Sequence, residues 1–196
     1  MTPHPNRITL TTPSWFRHRV AALPECISSP EDRMRLVLEF ARTNVEHDTG
    51  GPFAAGVFEI GTGRVVAFGV NRVVPSGCSS AHAEIMALSL AQKRLGTYDL
   101  GRRDLPPHEL VINWRPCAMC FGAVLWSGIR CLSIAGSGQE LEELTGFDEG
   151  PIHPGWKSEL ARRGIEMQEG VLREEAVDLF RWFRSSGRLV YNARQG

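Results

Sequence analysis

Three side chains of the kind that bind transition metals occur at two places in the chain. Cys117 and Cys120 are separated by two residues and follow Pro116, while His82 lies well upstream. Thiolate sulfur and imidazole nitrogen are common zinc ligands, and a catalytic zinc takes three protein ligands and leaves its fourth position to water. These residues therefore predict a zinc centre held by His82, Cys117 and Cys120.

A carboxylate accompanies the predicted metal centre. Glu84 follows His82 by two residues, which is too close for it to be a comfortable fourth ligand. Zinc lowers the pKa of a bound water from about 15.7 to about 7, and a nearby carboxylate can carry the protons. The pattern His-x-Glu followed by Pro-Cys-x-x-Cys is the known signature of zinc deaminases of nucleobases. We expect hydrolytic deamination with Glu84 as the proton shuttle.

Three other interpretations of these residues are weaker. A structural zinc site usually has four ligands, and no fourth Cys or His lies at ribbon or finger spacing. A thioredoxin-like redox pair leaves His82 and Glu84 without a role. A binding module that keeps zinc only for stability has no use for an unligated Glu84.

The composition indicates one neutral domain. The chain has 196 residues, 42% of them hydrophobic, which is enough for one substantial core. Its 22 Lys and Arg balance 22 Asp and Glu, so it lacks the basic excess typical of proteins that bind a polyanion. Since no apolar run resembles a signal peptide or a membrane span, we expect a cytoplasmic protein that binds neither nucleic acid nor membrane.

The elements that must position the motif residues alternate between helix and strand. Ser29 as N-cap and Pro30 at the first helical position begin a helix that is predicted to end near residue 47. Further helices are predicted at 81–95, 117–126, 156–163 and 174–183, and strands at 53–60, 64–73, 108–114, 129–135 and 165–172. The metal motifs then fall at the starts of two helices.

This alternation predicts an α/β protein with parallel strand pairing and helices on the faces of the sheet. His82 can join the two cysteines if the N-termini of the two motif helices face one another across that sheet. Residues 1–28 contain four prolines and no clear periodicity, which predicts an irregular arm. The zinc deaminase domain is expected at 29–183 and a polar tail at 184–196.

With these residues placed, the chain resembles the cytidine deaminase superfamily and, within it, the bacterial guanine deaminase branch. The resemblance runs from about Ser29 to the carboxyl end, and the branch is indicated by GPFAA from residue 51, GVN from residue 69, the segment around Trp126 and GFDE from residue 146. It implies a three-layer α/β/α sandwich with a mixed sheet of about five strands. It also implies zinc-dependent conversion of guanine to xanthine and ammonia, a reaction of purine catabolism.

The resemblance implies roles for residues that contact the substrate. Asn71, after the second strand, matches the Asn that binds the purine in this branch, and Phe53 matches the Phe that stacks on it. Ala83 and Trp114 join them as candidate substrate contacts.

The resemblance also implies a second acid and a dimer. Glu149 matches an acidic residue that contacts the base edge and can help to move protons, with Asp148 as the nearby alternative. A domain-swapped homodimer is implied, in which the tail of one subunit closes the active site of the other. Tyr191 is the aromatic of the tail that could contact the substrate, and a frayed terminus is the alternative.

One departure from the branch leaves related substrates open. Arg115 precedes Pro116 where these enzymes commonly carry Glu, so ammeline, another amino-triazine or a modified guanine is an alternative to guanine. A tRNA adenosine deaminase is disfavoured by the neutral charge and by the acidic stretch over 140–149. A cytosine or cytidine deaminase is disfavoured because the Phe-Asp-Glu element and the long tail favour a purine.

Overall fold

The computed structural model describes residues 4–194, so residues 1–3 of the predicted arm and 195–196 of the predicted tail lie outside it. Its centre is one sheet of five strands: β1 (Ala54–Glu59), β2 (Val65–Val70), β3 (His108–Ile112), β4 (Cys131–Ile134) and β5 (Glu166–Glu169). The strand order is β2-β1-β3-β4-β5. β1 is antiparallel to both of its neighbours, whereas β3, β4 and β5 run parallel.

This topology confirms the α/β class, the mixed sheet of about five strands and the hairpin that Gly61-Thr62-Gly63 predicts between segments 53–60 and 64–73. Parallel pairing, expected from the alternation of strands and helices, holds for β3, β4 and β5, whereas β1 separates β2 from β3. β1 and β2 form a hairpin, and the hairpin inserts β1 between β2 and β3. Two strands joined by a tight turn pair antiparallel. The hairpin therefore sets the direction of β1 relative to β2.

Helices cover both faces of the sheet: α1 (Ser14–Ala21), α2 (Pro30–Glu46), α3 (Val73–Ser76), α4 (Ala83–Leu95), α5 (Ala118–Ser127), α6 (Glu140–Thr145), α7 (Trp156–Arg162) and α8 (Arg173–Ser185). Side chains of α1, α2, α6 and α8 share one apolar cluster with the sheet, and those of α4, α5 and α7 share another. Along β3, Leu110 and Ile112 belong to the second cluster and Val111 to the first, as the two-residue period of a strand requires. Within residues 4–194, no helix has both the length and the apolar character to cross a membrane.

The start of α2 agrees with the capping signal in the sequence. The Ser29 hydroxyl accepts the backbone N–H of Asp32 at 3.2 Å, and Pro30 is the first helical residue. A side-chain cap satisfies one of the backbone donors that a helix start leaves free. The helix ends at Glu46, one residue before the predicted end.

The prediction of an irregular N-terminal arm is wrong for residues 14–21, which form α1. Phe16 is buried and meets the ring of Phe40 on α2 edge-on, with ring centroids 5.5 Å apart. Trp15 packs on Phe40 as well, at 5.8 Å. The sequence of α1 has no apolar periodicity because two adjacent aromatic residues provide the contact, and tertiary packing then stabilises a helix that its local pattern does not reveal.

A buried ion pair joins α2 to the sheet. The guanidinium of Arg33 donates to the Glu109 carboxylate at the start of β3 and, at 2.7 Å, to the carbonyl of Ile27. Ser133 on β4 donates its hydroxyl to the same carboxylate. Each charge is therefore satisfied although both side chains are buried.

We expect Arg33→Met to lower the free energy of unfolding by about 3 to 5 kcal/mol, because it leaves the Glu109 carboxylate buried without its cation. Arg35→Met is the matched control: Arg35 pairs with Asp32 at the surface, and exposed pairs contribute about 1 kcal/mol or less. Urea unfolding followed by circular dichroism measures both variants. Equal losses in the two variants would contradict a structural role for the buried pair.

Candidate active site

The two metal motifs meet where β2 and β3 end. His82 is the N-cap of α4, which follows β2, and Cys117 is the N-cap of α5, which follows β3. The two helices lie side by side on one face, so their N-termini do not face one another across the sheet as expected from the sequence. The reason is chirality: both crossovers advance in the same direction along the sheet, and right-handed crossovers then place both helices on the same face.

A glycine lets α4 lie close enough to the sheet for this arrangement. A Cβ atom at Gly69 of β2 would stand 2.3 Å from the backbone nitrogen of Ala87 and 2.4 Å from the carbonyl oxygen of Ala83. Real Cβ atoms do not approach backbone atoms so closely, so any other residue at 69 would push α4 outward. The N-cap histidine would move with the helix.

The donor atoms of the three predicted ligands lie together. One ligand atom each from His82, Cys117 and Cys120 can be chosen such that all lie within 4.8 Å of one another, and Cys117 Sγ is 3.6 Å from His82 Nδ1. A sulfur at about 2.3 Å and a nitrogen at about 2.0 Å from a tetrahedral zinc would be about 3.5 Å apart. The donor set and its spacing therefore fit a zinc ion.

The two thiols differ in their tendency to ionise. A hydrogen bond from the Cys120 thiol, supported by His82 and by the backbone of Cys120, lowers the pKa of Cys117 to about 4. Donating that hydrogen bond, together with burial, raises the pKa of Cys120 above its ordinary value. For His82, burial lowers the pKa, but the hydrogen bond with Cys117 and the charge of Glu84 raise it on balance. A metal ion binds thiolate sulfur and neutral imidazole nitrogen, so its binding at this site would release the protons that these groups carry.

Glu84 lies in the first turn of α4, and its carboxyl group reaches the same cavity as the imidazole of His82. Burial raises the pKa of Glu84, and the charge on Cys117 raises it further. A buried carboxyl beside a metal-binding group, rather than beside a Lys or Arg, is typical of a group that transfers protons.

The cavity next to the metal group has a volume of about 190 Å³, and its lining residues suit a flat, polar ring. Aromatic walls and polar groups line it, among them Phe53, Trp114, Phe147, Tyr191, His82, Glu84, Asn113, Arg115, Asp148 and Glu149. Apolar walls with a few polar groups are the usual composition of a small-molecule site. Five residues predicted for substrate or second-acid roles thus line one cavity: Phe53, Trp114, Tyr191, Glu149 and its alternative Asp148.

Two other predicted substrate contacts lie behind the cavity wall. Ala83 is buried in the apolar cluster between α4 and the sheet. Asn71 is buried just after β2, where its amide nitrogen donates to the phenol oxygen of Tyr191 and its amide oxygen is 3.3 Å from the backbone nitrogen of Val73. The Asn71 amide therefore reaches the cavity by way of the Tyr191 hydroxyl.

The C-terminal tail folds over the cavity of its own chain. Asn192 accepts the backbone N–H of Asp148 at 2.9 Å and donates to the carbonyl of Gly146 at 2.9 Å. These bonds fix Tyr191 beside Phe147, with ring centroids 5.2 Å apart. The burial that results raises the pKa of Tyr191 above its ordinary value.

The two acids of the 146–149 segment differ in their surroundings. Asp148 is exposed, and its carboxylate accepts the backbone N–H of Gly150 at 2.9 Å in a turn. Glu149 is partly buried, and its carbonyl accepts the N–H of Ala118 at the start of α5. Burial, and then the charges of Cys117 and Glu84, raise the pKa of Glu149 to about 8. These surroundings favour Glu149 over Asp148 as the second acid.

Asn113 is a residue of the cavity that the sequence analysis did not single out. It is buried, its amide oxygen accepts the N–H of Ala54 at 3.1 Å, and its amide nitrogen donates to the carbonyl of Pro52 at 2.9 Å. Both bonds hold the backbone on either side of Phe53. An Asn directly after the apolar run of residues 110–112 and four residues before Cys117 was the available signal.

We expect Cys120→Ala to lower the zinc content of the purified protein from about one ion per chain to near zero, because two remaining ligands do not hold a structural or catalytic zinc. Cys131→Ala is the control, since Cys131 is a buried cysteine of β4 outside the metal group. Elemental analysis after dialysis measures both. Full zinc occupancy in Cys120→Ala would mean that the ion is bound elsewhere.

The chain is similar over most of its length to guanine deaminases of two bacteria. Guanine deaminase from Nitrosomonas europaea, in its crystal structure, is 46% identical with a TM-score of 0.87, covering 92% of this chain and 98% of that one. A crystal structure in complex with 2,6-diaminopurine is 47% identical with a TM-score of 0.85, covering 96% and 97%. Guanine deaminase from Bacillus subtilis strain 168 is 28% identical over 161 residues, which are 82% of this chain and 98% of that protein.

Residues 27–135 match the family described as the cytidine and deoxycytidylate deaminase zinc-binding region. The matched region is more than half of the chain and contains His82, Glu84, Cys117 and Cys120. Together with the donor geometry, this match shows that the chain belongs to the zinc-binding cytidine and deoxycytidylate deaminase family.

Proposed function

We propose that this chain is a zinc-dependent deaminase of a free nucleobase that hydrolyses guanine to xanthine and ammonia, as a step of purine catabolism in the cytoplasm. The observation that carries the proposal is a single cavity that brings the metal group and two acids, Glu84 and Glu149, against aromatic walls. Similarity to the Nitrosomonas europaea and Bacillus subtilis guanine deaminases over nearly the whole chain supports guanine as the substrate.

In the proposed reaction, zinc held by His82, Cys117 and Cys120 supplies a water molecule activated for attack near neutral pH. The Glu84 carboxylate takes a proton from this water and delivers it to the ring nitrogen beside the amino-bearing carbon. Glu84 suits this task because its carboxyl lines the cavity next to His82.

Glu149 is proposed to help protonate the amino group as it leaves. Its side chain lines the cavity, and its backbone is tied to the start of α5 by the bond to Ala118. Asp148 is less suited because its carboxylate is occupied in a surface turn.

The proposed base-binding residues surround the ring on several sides. Phe53 provides an aromatic wall and packs against Phe147, with ring centroids 5.1 Å apart. Trp114 forms a fixed wall because its indole N–H donates to the carbonyl of Gly138 at 3.0 Å. Tyr191 lines the polar side of the cavity, and the Asn71 amide behind the wall donates to its phenol oxygen; this pair is proposed to bind the edge of a purine.

A related amino-heterocycle is the second candidate substrate, and Arg115 is the observation that favours it. Arg115 lines the cavity and pairs with Glu142 of α6, where relatives commonly carry an acid instead. A guanidinium at this point can donate to an acceptor on the ring edge, whereas an acid would accept from a ring N–H or amino group, so a different heterocycle can fit.

The first test is ammonia release by the zinc-loaded protein with guanine, ammeline, adenine, cytosine and cytidine. We expect guanine to be the fastest substrate and Glu84→Gln to lower its kcat by about 10³-fold or more, since the amide cannot accept the proton. Zinc content of the variant is the control and should equal that of the wild type. Rapid turnover of another ring with guanine inert would reassign the substrate, and near wild-type activity in Glu84→Gln would overturn the mechanism.

We further propose that the chain forms a homodimer through α5. Met119 and Trp126 of this helix are exposed, Trp126 to 88%. A Cβ atom at Gly122, between them, would meet no atom of the chain, although Gly in a helix interior costs about 1 kcal/mol relative to Ala. An exposed apolar helix face with a glycine at its middle suits close approach of a second copy.

Light scattering after size exclusion tests this interface. We expect wild type at twice the chain mass of 21.7 kDa and Trp126→Glu at the monomer mass, because a charge would be buried without a partner. Tyr98→Glu is the control, since Tyr98 is exposed to 86% and lies outside α5. A dimer that persists in Trp126→Glu would place the interface elsewhere.

A further inference from the structure

A chain of polar contacts runs from the N-terminal arm to the backbone of the base-binding segment. The Trp15 indole N–H on α1 donates to the Thr49 hydroxyl at 3.0 Å. The Thr49 hydroxyl is 2.8 Å from the amide oxygen of Asn44, to which it donates. Asn44 in turn donates from its amide nitrogen to the carbonyl of Asn71 at 2.9 Å and to that of Gly51 at 3.0 Å.

Because Asn44 is buried, the geometry of its hydrogen bonds is tightly constrained. Asn44 is fully buried, so the loss of any hydrogen bond of its side-chain amide would leave a buried polar group unsatisfied. A Cβ atom at Gly50 would lie 1.9 Å from the Asn71 carbonyl oxygen and 2.6 Å from the Asn44 amide nitrogen. The backbone segments at 50–51 and at 71 therefore both pack tightly against the side-chain amide of Asn44.

A second link from the arm reaches the same place. The Arg72 guanidinium, next to Asn71 in the chain, donates to the carbonyl of Thr49 and, at 3.0 Å, to the carbonyl of Thr11 in the arm. The residue beside the base-binding amide is therefore tied to the arm directly, as well as through Asn44.

We propose that Trp15, Thr49 and Asn44 are positioning residues that set the Asn71 amide for recognition of the purine, so that the N-terminal arm is part of the specificity machinery. The inference rests on the proposed function, in which Asn71 and Tyr191 bind the edge of guanine. The arm lies almost wholly before residue 27, where the family match begins. Its contacts to the segment at Asn71 therefore come from outside the region that matches the family. A small shift of a positioned group weakens binding of a rigid ring, because the ring cannot follow it.

The test is Thr49→Val, which keeps the shape of the side chain and removes the hydroxyl that links Trp15 to Asn44. We expect KM for guanine to rise about threefold to tenfold, in keeping with the loss of one buried hydrogen bond, while kcat stays within about twofold. Trp15→Phe keeps the aromatic packing and removes the indole N–H, so KM should rise in the same direction but less. Because this second change is mild, it can be measured even if Thr49→Val does not fold.

A matched control comes from the same helix. Arg19 of α1 pairs with Glu39 of α2 at the surface, away from the polar chain, and Arg19→Met should leave KM unchanged. An equal rise of KM in Arg19→Met would show that any loosening of the arm has this effect and would overturn the specific role of the chain of contacts.

The decisive comparison is made in an Asn71→Ala background. If positioning acts through Asn71, Thr49→Val should change KM no further there, since coupled residues are not additive. An undiminished effect of Thr49→Val in that background would overturn the inference while leaving the proposed function intact. If Asn71→Ala alone left KM and kcat for guanine unchanged, the proposed substrate contact would fail, and the inference with it.

Discussion

The geometry of one tetrahedral centre constrains most of this fold. His82 and Cys117 are 35 residues apart in the chain, yet their donor atoms lie 3.6 Å apart. That separation requires two helices to begin at the same edge of the sheet, on the same face, and at a fixed distance from it. Right-handed crossovers supply the shared face, and Gly69 supplies the close approach of α4 to β2.

Buried carboxyl groups occur in two different environments in this molecule. At the start of β3, Glu109 is fully satisfied by Arg33 and Ser133, which makes it a structural group. In the cavity, Glu84 and Glu149 form no ion pair with Lys or Arg within the described residues, and burial raises the pKa of both. A carboxyl kept ready to exchange a proton must not be committed to a permanent cation, whereas a structural carboxyl must be.

Segments outside the shared motif complete the site. The tail brings Tyr191 to Asn71 and seals the cavity through Asn192, and α1 brings Trp15 to the loop that Asn44 organises. Up to residue 194 the tail has no regular structure, and α1 has no apolar periodicity, so long-range contacts decide where both segments lie. Differences between deaminases that share one metal motif can therefore arise in these segments without any change at the metal.

Local rules were enough to predict the metal group and most of the helices and strands from the sequence. Ligand types and spacing at 82, 117 and 120, the cap at Ser29 and the strand and helix periods depend on local rules, so the zinc group, α2 and the α/β class were all predictable. The insertion of β1 between β2 and β3, the helical state of α1, and the bonds of Asn113 and Asn44 to the backbone around Phe53 and Asn71 became visible only in the folded chain. Those features depend on contacts between residues far apart in the chain, such as Trp15 with Thr49, and no local pattern encodes them.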